Sequence, residues 1–426
     1  VNMDYENAFY GDANADSHEC ADITLGQSGV DFAYDAEVLF HEFTHGMVDQ
    51  TAMLGCPAVG LCMDNLGVNL IPMGLNEGFA DYYSMTYSDD PDIGEYVSGE
   101  YGNPHLRTAL NTNQCPWDVT AQSHHDGQIL SGAAWTFRNA FGVETGDKLL
   151  YGTLLSLPQD AGFASLAENM VEAAEDMQVD GILSAADVAL VQETVGPNDR
   201  NMVDCSRVVP LDNRPPGKGD AYGYGMQTYP GYLDELPVSL HWTAHVPQNG
   251  VSLRFNLYPL MGYGSSWRVF LNKDEPALVQ VTMQGTQVEA DYEFVGSPET
   301  IVLDSSTDPP LERDTTYHMV IVYSAQWGEY FQVSADVETG VVEPDAGVID
   351  AAVVVDAGPQ PDAGDPEDAA VSPDGSAQGP DGVSPRNGCE CRAAGASSAS
   401  SGTPGAPLAV ILLGLFVSGL AFRRRR

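Results

Sequence analysis

The chain has 426 residues, enough for two or three domains that each bury a core. Its 61 acidic residues against 17 basic ones leave a formal net charge of −44, which excludes a nucleic-acid surface, because phosphate binding needs clustered Lys and Arg. Acidity of this kind is the solubilising surface of an exported protein rather than the mark of a specific cationic ligand.

The first residues, Val1-Asn2-Met3-Asp4-Tyr5, show neither a basic start nor an apolar run. The expectation is that they begin inside a longer precursor, since the first chemical motif arrives as early as His41. Residues 1 to 205 mix Gly-rich loops with helical segments. Asp35 is placed to cap a helix that runs through Ala36-Glu37-Val38-Leu39-Phe40, with Gly46 near its far end. Leu130, Ala133, Ala134, Phe137 and Phe141 make a 3.6-period stripe stopped by Gly142, and two further helices are expected around Phe163–Met177 and Ala185–Thr194.

Residues 206–235 read as a linker, and the period changes after it. Val251, Leu253, Phe255 and Leu257 alternate with polar neighbours, as do residues around Val279, Met319 and Val333. Short alternating strands between Gly, Pro, Asn and Asp predict an antiparallel β-sandwich over 236–342. His241, His245 and His318 fall on those strands and are read as strand residues without a metal. Residues 343–388 are Asp, Ala, Gly and Pro in low-complexity order, which predicts a disordered, extended acidic tether. Residues 389–426 hold Cys389-Glu390-Cys391, an apolar run from Pro407 to Phe422, and four arginines, the order of a membrane anchor or sorting signal.

The seven cysteines are Cys20, Cys56, Cys62, Cys115, Cys205, Cys389 and Cys391. In an exported chain the five upstream cysteines predict one or two disulfides, two of them leaving one cysteine over, and Cys56 and Cys62 are near enough to close a small loop.

The chemistry concentrates in His41-Glu42-Phe43-Thr44-His45. Residues four apart share a helix face, so His41 and His45 can both offer an imidazole nitrogen to one ion. Glu42 is then beside a metal that would acidify water, placed to take its proton as general base. A catalytic zinc needs a third protein ligand, and Asn76-Glu77-Gly78-Phe79-Ala80-Asp81 supplies Glu77. Asp81, one turn on, would accept the second N–H of a ligand histidine and fix its tautomer.

His-Glu-Phe-Thr-His followed by Asn-Glu-Gly-Phe-Ala-Asp resembles the gluzincin metallopeptidases of the thermolysin and fungalysin type. Asn7-Ala8-Phe9-Tyr10 and Ala33-Tyr34-Asp35-Ala36-Glu37-Val38 are also similar to fungalysins, so the likeness spans roughly residues 5–200. It implies an α+β zincin catalytic domain, possessing Zn2+ on His41, His45 and Glu77, with Glu42 as base and Asp81 behind the metal. Protein or peptide substrates follow. Ser123-His124-His125-Asp126-Gly127 resembles the segment in which the family keeps an oxyanion-stabilising histidine, which implies that role for His124, with His125 as the runner-up.

The family's tyrosine between the two motifs has no counterpart here, since no tyrosine lies from Gly46 to Asn76. That departure supports the alternative of a catalytically weak, peptidase-like surface-binding module. Structural calcium is frequent in the thermolysin type. Asp89, Asp90 and Asp92 lack regular calcium-loop spacing, however, and read as a solvated loop. The tail resembles the MYXO-CTERM sorting tails of myxobacterial surface proteins. It implies a sorting protease, processing or lipidation at Cys389 or Cys391, and a place at the cell surface or outer membrane, or release to the medium.

Overall fold

The computed structural model describes residues 6–11, 21–56, 62–228, 234–261, 264–282, 285–325 and 327–340. The expectations for the tether, for Cys389 and Cys391 and for the apolar tail lie outside the described residues, as does Cys20. Among the described residues, no helix is long and apolar enough to cross a membrane.

A mixed α+β architecture results, in which helices and short strand pairs alternate up to Val195 and strands follow. β1 (Ala8–Gly11) and β2 (Asp22–Leu25) pair antiparallel and lie against α1 (Ala36–Thr51). The Asp35 carboxylate starts α1 by accepting from the Glu37 and Val38 amides, satisfying donors that have no partner inside a helix. Gly46 does not end this helix, which continues to Thr51. Its missing side chain instead lets the Tyr10 ring approach, because a Cβ there would stand 2.9 Å from that ring.

β3 (Cys62–Asp64) and β4 (Gly67–Asn69) form a hairpin before α2 (Ile71–Ser88), which carries Pro72 in its first turn. β5 (Asp92–Ile93) and β6 (Arg107–Thr108) pair around α3 (Glu95–Glu100). Four helices follow: α4 (Ser123–Phe141), α5 (Val143–Ser156), α6 (Phe163–Val179) and α7 (Ala185–Val195). The stripe Leu130, Ala133, Ala134 and Phe137 on α4 is fully buried, as its period requires.

The remaining strands are β7 (Val208–Pro210), β8 (Ala221–Gly225), β9 (Leu236–Pro237), β10 (His241–Val246), β11 (Gly250–Pro259) and β12 (Ser266–Lys273). β13 (Leu278–Thr282), β14 (Gly285–Glu289), β15 (Tyr292–Phe294), β16 (Thr300–Asp304), β17 (Thr315–Ser324) and β18 (Glu329–Thr339) complete them. One sheet has the order β15-β12-β17-β10-β7, with β9 on β17, and the other the order β16-β11-β18-β8. Trp242, Phe255, Tyr323 and Phe331 are buried in the core that joins these sheets to the helices.

Two details differ from the strand pattern. Val251 is exposed because the β11–β18 pairing shifts register between Gly250 and Ser252. On β17 both faces are buried, since the β13–β14 hairpin packs Val279 against Val320 and Val322 on the outer side.

The stretch 206–235, expected to be a linker, supplies strands to both sheets through β7 and β8. It also holds the loop before α4. Arg214 donates to the Trp117 carbonyl at 2.8 Å, Lys218 pairs with Asp118, and the Tyr224 amide donates to the Thr120 carbonyl at 2.6 Å. Disulfides join Cys56 to Cys62 and Cys115 to Cys205.

Candidate metal centre

Three helices build the site, and their glycines set its dimensions. α2 and α4 cross with backbones in contact at Gly74, Gly78 and Gly127. A Cβ on Gly78 would stand 2.6 Å from the Gly127 carbonyl oxygen, and one on Gly127 would stand 2.7 Å from the Gly78 nitrogen. Only glycine permits that approach, which brings Glu77 of α2 up to His124 at the start of α4. On the other side α2 packs along α1, which carries His41 and His45.

His41 Nε2 and His45 Nε2 are 3.1 Å apart, and Glu77 Oε2 lies 3.1 Å from the first and 3.5 Å from the second. A tetrahedral zinc with bonds of about 2.0–2.1 Å needs ligand atoms about 3.3–3.4 Å from one another. The three atoms therefore fit one zinc ion, and two imidazoles with one carboxylate are a donor set that zinc takes. Glu77 Oε2 is buried and has no hydrogen bond of good geometry, although it faces imidazole nitrogens. Burying an anionic oxygen so is costly unless a cation compensates it. Among the described residues, His41, His45 and Glu77 are the one group of three His, Cys, Asp or Glu side chains whose ligand atoms lie within 4.8 Å of one another.

Behind these atoms stands a layer of partners. His41 Nδ1 is 2.9 Å from Asp81 Oδ1, a contact close enough for a hydrogen bond although its direction departs from the ideal. Asp81 is fully buried and receives Arg107 as a two-pronged partner, Nε at 2.7 Å and Nη2 at 2.6 Å. Burial pushes the Asp81 carboxyl up, but Arg107 and His41 together bring it down to about 2. For His41, burial favours the neutral ring, yet Asp81 and Glu77 outweigh it and raise the metal-free imidazole to about 10. His45 Nδ1 is 2.8 Å from Asn76 Oδ1, and Asn76 Nδ2 donates to the Leu54 carbonyl at 3.2 Å. Both histidines thus have their far nitrogen held while Nε2 points inward.

Glu42 lies on the same helix between the two histidines and is buried at 6% exposure. His124 Nε2 is 3.3 Å from Glu77 Oε2, and burial holds the His124 ring neutral by bringing it down to about 4. His125 turns elsewhere, its Nε2 3.1 Å from the Asp118 carbonyl oxygen. The structure thus brings together His41, Glu42, His45, Glu77, Asp81 and His124, and leaves His125 outside. The parts played by Asn76 and Arg107 escaped the sequence reading. Asn76 adjoins Glu77, which is a usable signal, whereas Arg107 lies 26 residues from the Asp81 it grips and no periodicity links them.

The acids near the end of α2 each have a protein partner. Asp89 pairs with Arg138, Asp90 accepts from the Asp92 amide, and Asp92 lies 3.4 Å from His105. In the sheets, His241 and His245 lie on β10 and His318 on β17.

No protein-family model matches this chain, and no curated protein matches it.

Proposed function

We propose that the chain is a zinc metallopeptidase of the gluzincin type, with a thermolysin- or fungalysin-like α+β catalytic part, hydrolysing peptide bonds in protein or peptide substrates. The observation that carries this reading is the convergence of three ligand atoms at 3.1–3.5 Å, with Glu42 beside them and His124 across from them. When bound, zinc would supply Lewis-acid polarisation of the substrate carbonyl and acidification of water.

The chain's own residues do the rest. Glu42 takes a proton from the attacking water and returns it to the leaving amine. His124 donates from its ring to the carbonyl oxygen as negative charge develops there. Because no tyrosine lies between Gly46 and Asn76, this donor role rests on His124. Asp81 and Asn76 keep the two ligand imidazoles turned so that Nε2 faces the site, and Arg107 holds Asp81 ionised.

The acidic composition, the cysteine pair before an apolar run and the terminal arginines support export and attachment at the cell surface, with a sorting protease and a lipid or membrane as partners of the tail. Casein cleavage by purified zinc-loaded protein, set against Glu42→Gln, tests the reading. Cleavage by the unaltered chain and loss in Glu42→Gln at equal zinc content are expected. Equal cleavage by both, or none by either, would overturn it.

A further inference from the structure

Gln122 occupies the N-cap of α4, and its side-chain oxygen accepts from the His125 amide at 2.7 Å. This bond decides which way the side-chain amide faces. With nitrogen and oxygen exchanged, two donors would meet head-on at that distance, so Oε1 must face the backbone N–H. Nε2 is then left on the other side, 3.1 Å from His124 Nδ1. An amide nitrogen has only protons to offer, so His124 Nδ1 must accept, and the proton of the neutral ring sits on Nε2.

We propose that Gln122 is a positioning residue that locks His124 in the Nε2–H tautomer, so that the proton is carried on the nitrogen that faces the ligand cluster, 3.3 Å from Glu77 Oε2. The consequence for turnover rests on the peptidase reading, whereas the tautomer does not. Gln122 is itself held from both ends. Its backbone N–H donates to Thr120 Oγ1 at 3.3 Å, and Thr120 donates to the buried Asp126 carboxylate through both its backbone N–H and its hydroxyl. The Thr120 carbonyl receives the Tyr224 amide from β8. The α4 cap therefore does two jobs with one side chain: it closes the helix start, and it sets the protonation side of the next imidazole.

Nitrogen-15 NMR of the histidine rings in zinc-loaded protein reads this directly. Nδ1 of His124 is expected bare and Nε2 protonated, and Gln122→Glu, which replaces the donor by an acceptor, is expected to move a proton to Nδ1. Gln122→Ser keeps a capping oxygen but removes the amide N–H. It is expected to lower kcat roughly 10- to 100-fold at unchanged zinc content and with KM within about twofold. Gln122→Ala should match it in kcat and lose helix stability as well. A protonated Nδ1 in the unaltered chain, or full kcat in Gln122→Ser, would overturn the proposal. If no substrate is cleaved by any form, the peptidase reading fails and the NMR result still decides the tautomer.

Discussion

The molecule carries two sets of buried or half-buried histidines, and they behave in opposite ways. On α1, His41 and His45 face Glu77, and Asp81 stands behind His41, so opposite charge overrides burial and raises both rings. On β10, His241 is fully buried, with Nε2 3.1 Å from the Leu66 carbonyl, and burial brings it down to about 4. His318 on β17 is also lowered by burial. Burial alone therefore says little about a histidine's chemistry. What separates the sets is whether carboxylates arrive on a neighbouring helix at matching spacing, as Glu77 and Asp81 do on α2.

The sharpest test sets a histidine of the metal centre against one of the sheets, both of them held neutral by burial. His124→Ala is expected to lower kcat by roughly 10²- to 10³-fold, the usual effect of losing an oxyanion donor, with zinc retained. His241→Ala is expected to leave kcat per folded, zinc-loaded molecule unchanged. Steady-state kinetics on both variants decides whether only the α1–α2–α4 set acts on substrate.

Next comes the layer behind the ligands. Asp81→Asn and Arg107→Ala are each expected to weaken zinc binding by roughly 10- to 100-fold, measured by competition with a chelating dye. Unchanged affinity in Asp81→Asn would mean that His41 needs no carboxylate behind it, and the contrast with His241 would lose its cause.

The helix crossing gives a third test. Gly78→Ala drives a methyl toward the Gly127 carbonyl, and overpacking of this sort costs about 1–3 kcal/mol. It should also push Glu77 away from His124, so zinc affinity and thermal midpoint should fall together. Loss of stability with zinc affinity intact would separate the crossing from the site.

The smallest effect is in pH dependence. His241 has a folded value near 4 against an ordinary 6.5, so the unfolded chain binds the extra proton between those values. Stability on this account is full above about pH 6.5 and falls as pH drops toward 4. His41 in metal-free protein runs the other way. Its raised value of about 10 gives a contribution that is full below pH 6.5 and is lost as pH rises through 10. Thermal midpoints of chelator-treated protein across pH 4–10 should therefore show His241→Gln flattening the acid limb and His41→Gln flattening the alkaline one.

Local spacing made much of this legible beforehand. The Asp35 cap acts on amides two and three residues along, while the turn from His41 to His45 and the turn from Glu77 to Asp81 are each about one helical repeat, and side chains so spaced share a face whatever surrounds them. Residues that meet only through space were not legible. Arg107 reaches Asp81 from a two-residue strand, and the Gln122 amide is fixed by a backbone bond that no pattern announces. β8 hid for another reason. Ala221-Tyr222-Gly223-Tyr224-Gly225 looks like a flexible stretch, but a Cβ on Gly223 would stand 2.4 Å from Trp242 and one on Gly225 would stand 2.5 Å from Tyr323. Those glycines admit large rings from the facing sheet, a use of glycine that resembles linker composition until the partner is known.

Metal analysis of purified protein bears most directly on the central claim that His41, His45 and Glu77 hold zinc. One zinc per chain is predicted for the unaltered protein and for Glu42→Gln, with loss of bound zinc in Glu77→Ala and His45→Ala. A chain that binds no zinc when it is supplied, or that keeps full zinc affinity in Glu77→Ala, would contradict the account.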